Sequence, residues 1–551
     1  MKLNNQPSRQ VAPKPATLRF WNRRGFILVV VTIVIVLLSL VAYTFTGTMQ
    51  VEYTASLMHG RDVEARMMAE SAIEFVAAKI AERNADPTTV DLYHDPSTFR
   101  GRTLTEAEND RAQVKFSVVT PHSGAAGESI RFGLMTENAK FNLNRLTEFD
   151  DDDDESTTPF DAISHVPGMT EDIVNSIMDW IDSDEEIRVG GAESEFYETL
   201  AVPYSARNAP MESIDELLQI QGVTPQMFYG EDANRNGTLD PNENDGDASP
   251  PSDNADGVLD IGWREFFTVA SRERNTMADG AEKINLNQGL MTELYDAIEP
   301  EFGEDAAQFV VAYRLYGNAN ADAATQQSLT VAQKDAATAV GKALTGGVEG
   351  TVTRGGMDLT KVAGFSFRSI YDLIDAEVEA EVNGSPVTLT SPWTSDGLLE
   401  SMPQLEQTVS WVDDAFLDGR ININEAPREV LMAIPGMTEA IADMIIQARP
   451  SLQSEGMSQS VMLNRITPAW ILAEGVVELE TLRVLGPWLT TSGDMYRFQT
   501  LGHFEQGGPN TRLEAVIDGS QNPPRLIFQR DLTPLGRGFQ PWELNGQQSS
   551  R

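Results

Sequence analysis

The sequence predicts an α+β chain: one long N-terminal helix, then an antiparallel sheet interrupted by a large, mostly helical insertion. Three observations carry this reading. An apolar run from Phe26 to about Phe45 passes without a break into amphipathic sequence that stops near Pro87. Strand-like alternation occurs in two clusters far apart, one around residues 114–134 and one around 496–528. Between those clusters the apolar spacing is mostly helical.

The first element begins with a basic leader. Lys2, Arg9, Lys14, Arg19, Arg23 and Arg24 precede the apolar run, and no acidic residue stands among them. The run has roughly the 20 residues a helix needs to cross a bilayer. The positive flank predicts a cytoplasmic N-terminus, with the bulk of the chain across the membrane. A secretory signal places its cleavage site after the apolar region. Here the candidate processing site, Gly25-Phe26, lies before it. Cleavage there would leave the hydrophobic helix on the mature chain, an arrangement that resembles type IV prepilins and pseudopilins.

The helix continues as a stalk. Ala65, Met68, Ala69, Ala72, Ile73, Val76 and Ile80 recur at helical spacing, with Glu64, Arg66, Glu70, Glu74 and Lys79 on other faces. Asn84-Ala85-Asp86-Pro87 supplies the stop, because proline cannot continue the ladder. Strands follow at Val114, Phe116, Val118 and at Ile130, Phe132, Leu134, separated by a glycine-rich turn at Ser123–Gly127. The C-terminal strands carry Tyr496 and Phe498, then Leu513, Ala515 and Ile517, then Leu526 and Phe528.

The intervening sequence contains a repeat. Asn142-Leu143-Asn144, Asn285-Leu286-Asn287 and Asn422-Ile423-Asn424 each follow an apolar residue and precede helical sequence. Pro-Gly-Met-Thr occurs at 167–170 and again at 435–438, each time ahead of an amphipathic helix. The spacing of roughly 140 residues exceeds common solenoid periods and suggests duplicated domains. Asp150–Glu155 reads as a solvated acidic loop, and Asn318–Gly347 as an inserted connector rich in Ala, Thr and Gly.

Composition narrows the chemistry. The 551 residues carry a net charge of −42, which repels phosphate backbones and attracts cations. There is no cysteine and only five histidines, which argues against a structural zinc site and leaves carboxylate-held hard cations. Residues 232–243 match a calcium loop: Asp232, Asn234, Asn236, Asp240 and Glu243 offer side-chain oxygens at positions 1, 3, 5, 9 and 12. Gly237 stands at position 6, and Thr238 offers its carbonyl at position 7. A second, incomplete copy spans Ser252–Trp263, with Asn254, Asp256 and Asp260 in register and Trp263 where the bidentate carboxylate belongs. Asp245 and Asp247 lie between the copies.

The two Pro-Gly-Met-Thr turns resemble helix-hairpin-helix modules, whose Gly-x-Gly turns present amides to a phosphate. Thr170 and Thr438 stand where the second glycine belongs, and Asp179, Asp182, Asp184, Glu185 and Glu186 follow the first copy. Packing modules fit this charge better than nucleic-acid binders. No Gly-x-Ser-x-Gly, Walker or His-Glu-x-x-His motif is present, and no residue is singled out as catalytic.

The segment from Asp179-Trp180-Ile181-Asp182-Ser183-Asp184, through Gly191-Ala192-Glu193-Ser194-Glu195-Phe196-Tyr197, to Asn208-Ala209-Pro210 and Ile214–Leu218 closely resembles the K-type minor pseudopilin of type II secretion, the GspK family. The likeness is strong between Phe141 and Thr224 and weak between Asn318 and Leu399. The resemblance implies a pilin-like sheet interrupted by a helical domain. It implies cleavage by prepilin peptidase, N-methylation at Phe26, and a place at the tip of the pseudopilus. The implied partners are the I- and J-type minor pseudopilins. It also associates calcium with the fold without naming ligands. Most pilins carry a glutamate at mature position five, thought to pair with the subunit above. That position here is Val30, which suits a subunit with nothing above it.

The expected organisation is a leader (1–25), a transmembrane and stalk helix (26–84), and a first sheet part (85–145). A helical domain with the calcium loop (146–283), a second repeat (284–410) and a third repeat (411–490) follow. A C-terminal sheet part and tail (491–551) complete it. The leading expectation is a non-catalytic tip subunit in the bacterial inner membrane with its bulk in the periplasm. A membrane-anchored DNA-binding protein and an unprocessed calcium-dependent scaffold remain open at this point.

Overall fold

The computed structural model describes residues 23–86, 89–104, 113–121, 130–150, 157–320, 327–330, 333–334, 352–449 and 465–545. Most of the leader, Pro87, the turn at Ser123–Gly127, the acidic run beyond Asp150 and most of the Asn318–Gly347 connector lie outside them.

Two units divide the chain, residues 1–63 and 64–551. The first is helical wherever it is described and belongs to helix α1, Arg23–Ala85. Its apolar side chains from Phe26 to Phe45 are exposed, and this is the one helix among the described residues long and apolar enough to cross a membrane. Such a surface is stable only against lipid or protein. Its threonines suit that setting. The hydroxyls of Thr32, Thr46 and Thr48 donate to the carbonyls of Leu28, Ala42 and Thr44 at 2.9, 2.8 and 2.9 Å, leaving no donor to be solvated.

In the second unit, the last part of α1 buries the residues its periodicity selects: Ala65, Met68, Ala69, Ala72, Ile73, Val76 and Ile80. They pack on a six-stranded antiparallel sheet. Its strands are β1 (Val114–Pro121), β2 (Ile130–Arg131), β3 (Met135–Thr136), β4 (Met495–Phe504), β5 (Thr511–Asp518) and β6 (Arg525–Asp531). The order is β2-β1-β4-β5-β6, with β3 also pairing β4. The first strand cluster therefore pairs directly with the last: Phe116 lies opposite Gly502 and Val118 opposite Thr500. Phe132 and Leu134, expected in a strand, are buried but lie outside β2. Gly502 lets α1 approach; a Cβ there would lie 1.8 Å from the Ala65 carbonyl oxygen.

The sheet's second face is also covered. Gln499, Arg512 and Glu514 project opposite to the apolar set and are buried beneath the insertion. Glu514 is held there by ion pairs. Arg264 of the insertion reaches Glu514 at 2.6 Å, and Arg497 bridges Glu514 at 3.1 Å and Glu137. A buried pair needs such partners to offset desolvation.

The insertion departs and returns at one point, since Thr136 of β3 pairs with Tyr496 of β4. Within it the three Asn-x-Asn motifs adopt one local structure. The first asparagine of each accepts the amide of the second, at 3.1 Å (Asn142, Asn144), 2.8 Å (Asn285, Asn287) and 2.9 Å (Asn422, Asn424). The second asparagine then bonds a distant backbone: Asn144 to Met211, Asn287 to Phe367 and Trp411, Asn424 to Arg465. Each motif begins from a short strand that pairs in parallel with a strand returning much later. Phe141 pairs with Phe267, Ile284 with Val409, and Ile421 with Leu489.

Candidate metal centre

Helix α2, Glu171–Ile181, starts where Thr170 accepts the Ile173 amide and buries Ile173, Val174, Ile177, Met178, Trp180 and Ile181. Its buried face fixes Asp182 at the C-terminal end. The chain then doubles back. Gly190 has φ +80°, and a Cβ on Gly191 would lie 2.1 Å from Asp179 Oδ2, so both glycines permit the close return. Arg188 ties this turn together by donating to Asp179 at 2.9 Å, to Asp150 at 2.7 Å and to Asp182. Glu193 is thereby brought back against the helix end. Trp180 packs edge-on against Tyr197, 5.3 Å between ring centres, and Tyr197 stacks on Tyr204 at 5.2 Å.

The result is a carboxylate centre. Oxygens of Asp182, Asp184 and Glu193 all lie within 4.8 Å of one another, a grouping found nowhere else among the described His, Cys, Asp and Glu residues. Glu193 is 1% exposed, and neither of its oxygens has a hydrogen-bond partner. Asp182 Oδ1 and Asn208 Oδ1 are likewise buried without a partner. Asn208 belongs beside the cluster: its amide nitrogen donates to the Asp184 carbonyl at 2.7 Å and to Glu185 at 3.0 Å, from a left-handed backbone with φ +47°. Burial first, then the charges of Asp179, Glu185 and Asp182, push the Glu193 carboxyl up to about 7. Unpartnered buried oxygens are costly, and here the carboxylates of Asp182, Asp184 and Glu193 converge. An all-oxygen set of this kind fits a hard divalent cation such as calcium.

The sequence-predicted calcium loop folds tightly on itself. The Asp232 carboxylate accepts the amides of Asn236 and Gly237 at 3.0 and 2.8 Å. Glu243 accepts those of Ala233 and Asp240, both at 3.0 Å. Asp240 accepts the side-chain amides of Asn234 and Asn236 at 2.5 and 3.1 Å, and the Thr238 amide donates to Asn236 Oδ1 at 2.7 Å. Gly237 has φ +71°, which explains glycine at position 6. Asn234 Oδ1 is buried without a partner. Burial raises the Asp232 carboxyl; burial followed by the neighbouring Asp232 and Asp240 charges raises that of Glu243. Pro241–Glu243 forms a single 3-10 turn rather than an exiting α-helix.

In the second copy, Asn254 Oδ1 accepts the Asp256 amide at 2.8 Å, and Asn254 Nδ2 donates to Asp260 at 3.1 Å. Trp263 is 1% exposed and donates to the Pro167 carbonyl at 2.7 Å, so it serves the core. Its place is filled from elsewhere. Glu231, buried and just ahead of the first loop, accepts the amides of Asn254 and Asp260 at 3.1 and 3.2 Å. In the first loop, Glu243 similarly spans an amide near the loop's start and that of the ninth position. A bridge between Gly230 and Ile261 holds the two loops side by side. Asp245 is occupied by Ser249, 2.6 Å away.

Sequence reasoning missed the Asp182–Asp184–Glu193 centre and Glu231. In the sequence the former looked like background acidity, because Glu193 is separated from Asp182 by a turn whose path only the glycines and Arg188 determine. Gly25 and Phe26 lie in the described first turns of α1, with Phe26 exposed.

Comparison with known proteins identifies the setting of the centre. A family model described as type II secretion system (T2SS), protein K, matches residues 139–229. That segment contains α2, Asp182, Asp184, Glu193 and Asn208, and it ends before Glu231 and both loops. The chain is 33% identical over 110 residues to the putative type II secretion system protein K of Escherichia coli K12, covering 18% of this chain and 34% of the relative. It is 25% identical over 218 residues to type II secretion system protein K of Pectobacterium carotovorum subsp. carotovorum, covering 37% of this chain and 60% of the relative. The chain thus spans a third of one curated relative and three-fifths of the other. A solved GspK–GspI–GspJ complex from enterotoxigenic Escherichia coli aligns over 88% of this chain and 97% of that one, at 12% identity and a TM-score of 0.32. The resemblance borne by the Asp-Trp-Ile-Asp-Ser-Asp and Asn-Ala-Pro segments is the one these sequence matches return, and residues 139–229 are similar to the type II secretion system protein K family.

Proposed function

We propose that the chain is a non-catalytic minor pseudopilin that caps a type II secretion pseudopilus and supports protein secretion across the outer membrane. The family match over residues 139–229 carries the reading. The Arg23-Arg24-Gly25-Phe26 start and the lipid-suited helix behind it support it. On this reading prepilin peptidase cuts after Gly25, and α1 anchors the chain in the inner membrane with its bulk in the periplasm. The I- and J-type minor pseudopilins are its partners. Mass analysis of protein made with and without prepilin peptidase tests it. The expected product begins at Phe26 only when the peptidase is present, and an uncut chain retaining Met1 in both cases overturns the assignment.

The two Pro-Gly-Met-Thr turns are helix-hairpin-helix-like packing modules in this reading. Gly168 and Gly436 have φ +77° and +81°, and Thr170 and Thr438 each cap the helix that follows. The nearby Arg428 is held by Asp443 and Glu439 at 2.8 and 2.9 Å, which leaves it poorly placed to meet a phosphate.

Calcium is the cofactor this reading calls for. The centre of Asp182, Asp184, Glu193 and Asn208 would hold one ion. The loop of Asp232, Asn234, Asn236, Thr238, Asp240 and Glu243 would hold another. Asn254, Asp256 and Asp260 would hold a third, with Glu231 in place of the missing bidentate carboxylate. Bound cations would offset carboxylate repulsion that nearby basic groups leave uncompensated.

A further inference from the structure

The first calcium loop does more than fold on itself: two consecutive residues of it bond the sheet, and the next bonds the segment that follows the sheet's last strand. Arg512 of β5, which is 0% exposed, donates to the Asn234 carbonyl. Gln499 of β4 donates to the Arg235 carbonyl at 2.9 Å. Asn236 donates its side-chain amide to the Gly538 carbonyl, 2.9 Å away in the segment after β6. The Arg235 side chain enters the ion-pair layer, 3.9 Å from Glu514.

These are the positions that alternate between ligand and linker. Asn234 and Asn236 would face an ion through their side-chain oxygens, so the backbone carbonyls of Asn234 and Arg235 are left to face the other way, toward the sheet. Arg235 holds φ +60°, a conformation a non-glycine residue keeps only when its surroundings enforce it. Without a cation, Asp232, Asp240 and Glu243 repel one another inside the same turn. The geometry that aims two carbonyls at Gln499 and Arg512 is the geometry a bound ion would stabilise.

We propose that calcium in the Asp232–Glu243 loop works as a latch, clamping the helical insertion onto the second face of the sheet. The proposal rests on the calcium reading of that loop and adds a mechanical consequence to it. By linkage, whatever the ion adds to the latch the latch adds to ion affinity.

The chain has no cysteine, so Gln499→Cys introduces a single reporter thiol under the loop. The full-length protein in detergent micelles is reacted with a maleimide in calcium, in magnesium and in EGTA. Calcium titrations run on the same chain and on Asp232→Asn combined with Glu243→Gln. The expected result is labelling at least about tenfold slower in calcium than in EGTA, with the effect lost when the loop carboxylates are replaced. If calcium binds the loop yet labelling is equally slow, or equally fast, in both buffers, the latch is wrong and the calcium reading stands. If loop replacement leaves the binding isotherm unchanged, the calcium reading of this loop falls and the latch with it. An independent arm uses Arg512→Lys: its calcium affinity at this loop should drop about fivefold, and an unchanged affinity overturns the latch.

Discussion

Arg264 of the insertion and Glu514 of β5 stand 2.6 Å apart, and each side chain is only 5% exposed. Their pairing converts what alternation alone would leave as a solvent face into an internal seam. Arg497 shares the same carboxylate, and the two guanidinium groups hold Glu514 far below the usual carboxylate range despite its burial. Glu514→Ala would leave Arg497 with Glu137 alone and Arg264 with only Glu265, 4.0 Å away. We expect a loss of about 3–5 kcal/mol in urea unfolding of the full-length chain. The paired replacement of Arg264→Met with Glu514→Leu should cost less than the single change, because it leaves fewer unmatched charges.

Glu193 gives the opposite sign. Its buried carboxyl, raised to about 7, lies well above its unfolded value. The folded state therefore loses stability as pH rises from the ordinary glutamate range through about 7, unless a cation takes the charge. Glu193→Gln should leave the calcium-free protein at least as stable as the parent at pH 8. The same change should remove the part of the calcium-induced rise in Tm that arises at this centre, which calorimetry with and without EGTA would show.

Acid acts elsewhere through His503. Burial, followed by the charges of Lys115 and Arg537, lowers its imidazole to about 4. The neutral ring bonds Ser117 at 3.2 Å. The unfolded chain takes up the proton first, so stability is intact above pH 6.5 and is lost as pH falls through about 4. The full effect is at most about 3 kcal/mol. His503→Gln should flatten this part of the pH–stability curve.

Gly502 is a point of close contact between α1 and β4. Because its Cβ would overlap the Ala65 carbonyl, Gly502→Ala must push the helix off the sheet. We expect a cost of about 3 kcal/mol and faster proteolysis near residues 64–80. Gly507→Ala has no atom within 4 Å of its added Cβ and serves as the space control, although its φ of +84° adds local strain.

The long helix, the split sheet and the three asparagine motifs were legible because each leaves a periodic or repeated trace in the residues themselves. Ala65 to Ile80 names its own buried face, and Val118 and Phe498 announce strands whose pairing the structure supplies. Arg512 and Gln499 were not legible as buried groups, since nothing local tells a polar residue facing water from one facing a distant ion pair. Glu231 was hidden for a related reason. Its sequence neighbours belong to one loop and its side-chain hydrogen bonds to the other, so a register count starting at Ser252 passes over it. Asp182, Asp184 and Glu193 were visible as residues but not as a centre, because the turn that joins them is set by Arg188 and two glycines rather than by spacing.

The adjacency of Thr136 and Tyr496 has a consequence for how such a chain could change over time. A detour that begins and ends at neighbouring backbone positions imposes no stretch on the strands it interrupts. Each asparagine motif inside the detour closes its own parallel strand pair before the next begins. Whole segments could therefore be added or trimmed between those closures while β1 and β4 keep their register. The size of the insertion is in this sense a variable, tunable independently of the sheet it interrupts.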